Sequence, residues 1–137
     1  MNRWSLVALP VLALGALAFA RPAAPVATTH VVRMMQQGSK YMFNPSELTI
    51  HVGDVVQFEN VSGGPHNVEF NKDSIPAGAR DVLNRAMPRK MGDLAGPFLT
   101  QPNEKYSISF AGAPKGKYHF FCLPHRALGM VGVITVE

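Results

Sequence analysis

Apolar and polar residues alternate in short runs along most of this chain. Such alternation is typical of half-buried β-strands, whose successive side chains point to opposite faces of a sheet. Glycine-containing turns such as Gly53-Asp54 separate several of the runs. The pattern predicts about eight short strands, at residues 30–36, 39–43, 48–52, 55–60, 67–70, 106–110, 117–122 and 131–136.

Residues 71–103 interrupt this rhythm. They contain four prolines and several glycines, and only residues 80–87 have the pattern of one or two helical turns. Many short strands with little helix are typical of a sandwich of two β-sheets. The chain is therefore predicted to be an all-β sandwich with a short helical turn in the 71–103 region.

The first twenty residues have the character of an export signal. Arg3 precedes an apolar run from Leu6 to Ala20, which ends in the cleavage-site pattern Ala18-Phe19-Ala20. The run is shorter than the ~20 residues that span a bilayer, so an uncleaved membrane anchor is the less favoured alternative. The Ala/Pro-rich residues 21–29 predict a flexible tether. We expect a signal peptide at 1–20, this tether, and one domain at 30–137.

Charge and cysteine content narrow the class of protein. The formal net charge is +4, but the basic residues are scattered, and Arg89-Lys90 is the only adjacent pair. Nucleic-acid binding needs a clustered basic surface, so it is excluded, whereas a mild positive charge suits docking on anionic partners. Cys122 is the only cysteine. In an exported protein such a thiol is free, paired between molecules or bound to a metal.

Three possible metal ligands follow one another near the C-terminus. Cys122, His125 and Met130 have C-x2-H-x4-M spacing, and a second imidazole is available at His66, beside a Gly/Pro loop. One Cys, two His and a weak Met form the ligand set of a blue-copper electron-transfer site. Zinc is the rival metal, but zinc sites use Cys, His or carboxylates rather than Met. The set predicts one copper.

Each of these residues also has an ordinary structural interpretation. Alternation along residues 117–122 places Cys122 on the core side, and a free buried cysteine is common in proteins. A methionine after a glycine is usually core packing, and a histidine beside a turn is usually structural or solvated. The spacing of the C-terminal set favours ligation. The remaining histidines, His30, His51 and His119, are weaker candidates.

The motifs around these residues resemble the cupredoxins and, within them, the plastocyanins. They are P-H-N-V at 65–68, F-x5-P-A-G at 70–78 and Y-x-F-x-C-x-P-H-x4-M-x-G at 118–132. The resemblance covers roughly residues 30–137. It implies an eight-stranded Greek-key sandwich with one copper at one end. The ligands it implies are His66, Cys122, His125 and Met130.

The resemblance also implies roles for neighbouring residues. His125 is the expected electron exit, inside an apolar partner patch that Pro65, Pro124 and Leu128 line. A backbone N–H near Asn67 is expected to bond the Cys122 sulfur. Pro124 has no N–H and cannot add another such bond.

Three departures from the plastocyanin pattern bear on the partner. Phe121 stands where the family usually has a tyrosine, and Leu123 replaces a usual hydroxyl residue, so any bridge from the Asn67 side chain must use backbone. Residues 71–74, NKDS, stand where plant-type members carry an acidic run. These differences make a respiratory or other periplasmic partner at least as plausible as a photosynthetic one.

The predicted function is a monomeric, exported carrier that shuttles single electrons between larger redox proteins such as a cytochrome, oxidase or reductase. Docking would be transient, because redox encounters use small interfaces. The periplasm is favoured over the thylakoid lumen, and membrane attachment is expected only if the N-terminal segment is retained. A copper chaperone or store is the alternative. A small oxidase or reductase is a third interpretation, which needs an open coordination position.

Overall fold

The computed structural model describes residues 21–137, and the predicted signal peptide lies outside the described residues. Residues 21–28 are exposed and carry no helix or strand. Within residues 21–137, no helix has the length and apolar character needed to cross a bilayer.

The strands are β1 (Thr29–Gln37), β2 (Lys40–Asn44), β3 (Glu47–Ile50), β4 (Val55–Asn60), β5 (Glu69–Phe70), β6 (Lys105–Ser109), β7 (Gly116–Phe121) and β8 (Val131–Val136). The helix α1 is Ala79–Ala86, and a 3₁₀ helix is Leu123–Leu128.

The eight strands form two four-stranded sheets, in the orders β2-β1-β4-β6 and β3-β8-β7-β5. β1 runs parallel to β4 and β3 runs parallel to β8, while every other neighbouring pair is antiparallel. The predicted sandwich and its short helix are confirmed. Strand bounds differ from the predicted ones by at most two residues, because alternation marks a buried face more sharply than it marks a strand end.

Phe120 on β7 joins the two sheets through the core. It is 2% exposed. Its ring centroid lies 4.7 Å from that of Phe43 and 5.5 Å from that of Phe58, both on the opposite sheet. Gly132 lies opposite Phe120 on β8, where a Cβ would overlap the phenyl ring. The glycine therefore leaves room for the tip of the ring beside β8.

One end of the sandwich is tied by a buried carboxylate, Asp54. It accepts hydrogen bonds from the backbone N–H groups of His51 (3.0 Å) and Thr28 (2.9 Å), and His30 donates from Nε2 at 2.9 Å. These three bonds lower the pKa of Asp54 to about 2. The opposite end carries the loop after β4 and the loop after β7, where the predicted ligands lie. We call it the copper end.

Candidate metal centre

Backbone hydrogen bonds fix His66 between two loops of the copper end. Its N–H donates to the carbonyl of Leu99 at 3.1 Å, and its carbonyl accepts from the Leu99 N–H at 2.7 Å. Asn60, the last residue of β4, donates from Nδ2 to the carbonyls of Leu99 (3.2 Å) and Gln101 (2.9 Å). His66 is fully buried. Its position is therefore set by the polypeptide and does not depend on a bound ion.

Cys122 and Met130 bracket a short loop that contains the 3₁₀ helix. The Cys122 N–H donates to the carbonyl of Met130 at 3.1 Å, and the Met130 N–H donates to the carbonyl of His125 at 3.2 Å. Gly129 closes the helix with φ of 86°, which favours glycine. Cys122 and Met130 are both fully buried. Local hydrogen bonds thus hold the two sulfur-containing residues and His125 in one compact turn.

Three of the predicted ligands meet at one point. The Cys122 sulfur lies 3.6 Å from Nδ1 of His66 and 3.5 Å from Nδ1 of His125, and the two Nδ1 atoms are 3.2 Å apart. Within the described chain, this is the group of His, Cys and acidic side chains compact enough to hold a metal ion. His30 and His51 lie instead beside Asp54, and His119 is exposed. The structure therefore separates the weaker histidine candidates from this cluster.

The tautomer of the neutral His66 ring leaves a lone pair for metal binding on Nδ1, the nitrogen that faces the cluster. Its Nε2 lies 2.8 Å from the carbonyl of Ser62. A carbonyl only accepts, so Nε2 carries the proton and a neutral ring keeps its lone pair on Nδ1. Burial lowers the pKa of His66. Burial also lowers the pKa of His125, and the neighbouring His66 acts in the same direction. Both imidazoles are therefore set up as neutral nitrogen donors.

Two opposing influences act on the pKa of the Cys122 thiol. Burial raises the pKa of the thiol, while the nearby backbone N–H groups of Asn67 and His125 lower it. The Asn67 side chain also accepts a hydrogen bond from the Leu123 N–H at 2.7 Å. This bridge uses backbone, as the leucine at position 123 required.

The surface above the cluster is apolar. His125 is only partly buried, and Pro65 and Pro124 are exposed. Leu128 is 60% exposed and Leu123 is 51% exposed. The residues predicted to line a partner patch thus lie on the loops around His125. Leu123 lies in the same loop, although the sequence analysis did not include it in this patch.

Two neighbours of the cluster were not expected from the sequence. The Tyr41 ring stacks on His125, with centroids 3.9 Å apart. Alternation along β7 places Phe121 on the face opposite Phe120 and Cys122, and its side chain is nevertheless only 6% exposed. Its ring is covered by Arg126, whose guanidinium lies 4.0 Å from the ring centroid. Period-two alternation predicts which face of the sheet a residue occupies. It does not predict which long side chains from other elements cover that face.

The sequence and fold match known copper proteins. Residues 29–137 match the model for copper-binding proteins of the plastocyanin/azurin family. Chloroplastic plastocyanin from Silene latifolia subsp. alba is 45% identical over 95 residues, which are 69% of this chain and 52% of that protein. Plastocyanin from Ginkgo biloba is 40% identical over 106 residues, 77% of this chain and 98% of the relative.

This chain belongs to the plastocyanin/azurin family of copper-binding proteins. Among solved structures, oxidised plastocyanin from Dryopteris crassirhizoma superposes with a TM-score of 0.60 at 26% identity, over 79% of this chain and 100% of that one. Family membership confirms the predictions of a plastocyanin-like fold, a copper cofactor and a single-electron carrier rather than an enzyme.

The donor set fits copper on its own chemistry. Two neutral imidazoles and one sulfur converge with their donor atoms within 4.8 Å of one another. A thiolate suits Cu(I), and imidazole suits both oxidation states. No carboxylate of the described residues joins this group. A hard cation such as Mg²⁺ or Ca²⁺, which takes oxygen ligands, is therefore a poor fit.

Replacing Pro124 by alanine is expected to raise the reduction potential of the copper protein. Alanine supplies a backbone N–H beside the sulfur, and a further thiolate hydrogen bond withdraws charge from the metal. Cyclic voltammetry measures the potential directly. Pro114→Ala, in the turn before β7 and far from Cys122, is the matched control and should leave the potential unchanged. A Pro124→Ala potential at or below that of the original protein contradicts this prediction.

Proposed function

We propose that His66, Cys122, His125 and Met130 hold the copper. The observation that carries the proposal is the convergence of three donor atoms at distances of 3.2–3.6 Å. Met130 adds a buried thioether at the end of the same hydrogen-bonded loop. Copper, when bound there, supplies the Cu(I)/Cu(II) couple.

The hydrogen bonds of the cluster favour electron transfer over metal delivery. Partners within the fold fix the His66 backbone, the Cys122 backbone and the Met130 backbone. A site fixed in this way changes little between oxidation states, which keeps the cost of electron exchange low. A copper chaperone needs the reverse, a site that opens easily to release its ion. The pre-arranged loop therefore supports the carrier over the chaperone or store.

We infer that electrons leave through His125. Its ring is the part of the cluster nearest solvent, since His66, Cys122 and Met130 are fully buried. Pro65, Pro124 and Leu128 surround it with an apolar surface. A small apolar contact of this kind suits a partner that binds briefly and then dissociates.

The partner and location follow from charge and from the leader sequence. Without Arg3, which lies in the predicted signal peptide, 12 basic and 9 acidic residues leave a formal net charge of +3. This charge favours an anionic redox protein, such as a cytochrome, oxidase or reductase. We place the carrier in an extracytoplasmic compartment, the periplasm in preference to a thylakoid lumen. It acts there as a monomer and carries no nucleic-acid site. Membrane attachment applies only if residues 1–20 are retained.

Stopped-flow mixing of the Cu(II) protein with a reduced c-type cytochrome tests this function. Fast cytochrome oxidation is expected, and Leu128→Glu should slow it about tenfold or more by placing a charge in the apolar patch. Val52→Glu is the matched control, because Val52 is also exposed (40%) but lies at the other end of the sandwich. Slow oxidation together with rapid copper loss to a chelator would support the chaperone instead.

A further inference from the structure

We propose that Tyr41 is a positioning residue that fixes the ring plane of His125. This inference rests on the proposed role of His125 as a ligand and electron exit. The two rings are stacked, with centroids 3.9 Å apart and planes inclined by 12°. The same phenol meets His66 edge-on at 6.4 Å and 69°. One aromatic side chain therefore contacts both imidazoles of the cluster.

Strand geometry explains why Tyr41 reaches the cluster. Tyr41 and Phe43 are two residues apart on β2, so they point to the same side of the sheet. Phe43 is 2% exposed and packs against Phe58 in the core. Tyr41 lies one step nearer the copper end, where the core gives way to the metal cluster. It continues the aromatic core as far as His125.

The loop before His66 lies next to the Cε1 edge of the Tyr41 ring. Gly63 has φ of +75°, and a Cβ built there would lie 3.3 Å from Cε1 of Tyr41. The same Cβ would overlap the side chain of Gln36, the β1 residue paired with Tyr41. Gly63 thus lets its loop close over the β1–β2 hairpin. The phenol of Tyr41 therefore lies between this loop and the His125 ring.

His125 needs such a support more than His66 does. The His66 ring is fully buried and is hydrogen-bonded to Ser62 through Nε2. The His125 ring is partly exposed and lies on a 3₁₀ helix with no buried residue of its own. Within the described chain, its ring nitrogens have no hydrogen-bond partner outside the cluster. The His66 ring meets one edge of His125, with centroids 5.0 Å apart, and Tyr41 covers a face of the His125 ring. The stack on Tyr41 is therefore the contact that fixes the ring plane while leaving the outer edge accessible.

An oriented ring reduces the rearrangement that accompanies ion binding and electron exchange. Offset aromatic stacks contribute a modest but measurable free energy. Loss of the Tyr41–His125 stack in Tyr41→Leu should lower the Cu(I) affinity about 3- to 10-fold. It should also slow electron self-exchange. Phenylalanine keeps the stacked ring and should restore both properties to within about twofold, whereas leucine fills similar space without a ring.

NMR on the metal-free protein tests the positioning role without using electron transfer. The His125 ring protons are expected to show an upfield ring-current shift in the original protein and in Tyr41→Phe, and to lose it in Tyr41→Leu. Ring relaxation should show His125 as rigid as His66 in the original protein and more mobile in Tyr41→Leu. Met42→Leu, at the next position of β2, is the matched control and should change neither property.

Copper affinity and self-exchange then give the functional measurement. Cu(I) affinity is measured by competition with a chelator, and self-exchange is measured by NMR line broadening. The proposal is overturned if Tyr41→Leu retains a rigid, ring-shifted His125, or if Tyr41→Phe weakens the site as much as leucine does. The proposal is also overturned if the His125 ring of the original protein is as mobile as that of exposed His51. This comparison does not depend on whether Tyr41→Leu folds. Failure of the original protein to bind copper refutes the ligand assignment instead, because the metal-free spectra report the stack independently.

Discussion

Replacing Cys122 with serine abolishes the intense blue absorption that the Cu(II) protein is expected to show. That band arises from charge transfer between a thiolate sulfur and copper, and a serine hydroxyl provides no equivalent donor. Serine is close to cysteine in size, and the loop is held by backbone hydrogen bonds that the substitution retains. The visible spectrum after Cu(II) addition to each variant measures the effect.

His119→Gln is the matched control for this experiment. His119 lies on β7, three residues before Cys122, but its side chain is exposed and points away from the cluster. The blue band should survive this change at full intensity. A Cys122→Ser protein that remained blue would show that the sulfur is not a ligand. The proposed metal centre would then be wrong.

Truncation of Phe120 to alanine is expected to lower the free energy of unfolding by about 3–5 kcal/mol. The ring is buried and packs against Phe43, Phe58 and Phe70. Gly132 cannot fill the resulting cavity, because it has no side chain to move inward. The loss is a large share of the ~5–15 kcal/mol that stabilises a typical domain. Urea denaturation of the metal-free protein measures it.

Phe98→Ala makes the same chemical change at a site that is 40% exposed. Its cost should be much smaller, because water already reaches part of the ring and little cavity forms. A Phe120→Ala loss no greater than that of Phe98→Ala would mean that the aromatic cluster does not anchor the two sheets. Copper should be left out of both measurements, since binding to the folded state adds its own stabilisation.

The sandwich was predictable because period-two alternation reports burial directly. β4 and β8 begin and end where the pattern predicts, and each begins shortly after a turn glycine, Gly53 or Gly129. Strands whose ends run into loops, such as β5, are shorter than predicted. There Val68 is buried although it lies outside the strand, and His66 forms only an isolated antiparallel bridge with Leu99.

The candidate site was predictable in part for a different reason. Cys122, His125 and Met130 lie in one loop, so spacing alone brings them together. His66 and Cys122 are 56 residues apart, and no local pattern reports their distance of 3.6 Å. Only the strand order, which places β5 beside β7, brings their loops to one end. The family resemblance supplied that information.

Tyr41 and Arg126 illustrate what the sequence did not provide. Alternation could have placed Tyr41 on the same side as Phe43, but its stacking on His125 depends on how far the β1–β2 hairpin extends beyond the core. The position of Arg126 over Phe121 depends on a flexible side chain crossing from a 3₁₀ helix to a neighbouring strand. Both contacts arise from the packing of side chains in three dimensions.

Both ends of the described domain lie together and away from the metal cluster. Thr28 is bonded to Asp54, and the backbone of Glu137 exchanges hydrogen bonds with Ile50 and Val52 beside the same turn. A linker, a lipid anchor or an electrode attachment joined at either terminus would therefore hold the molecule by its base. The His125 surface would then point outward, and immobilisation would not obstruct it.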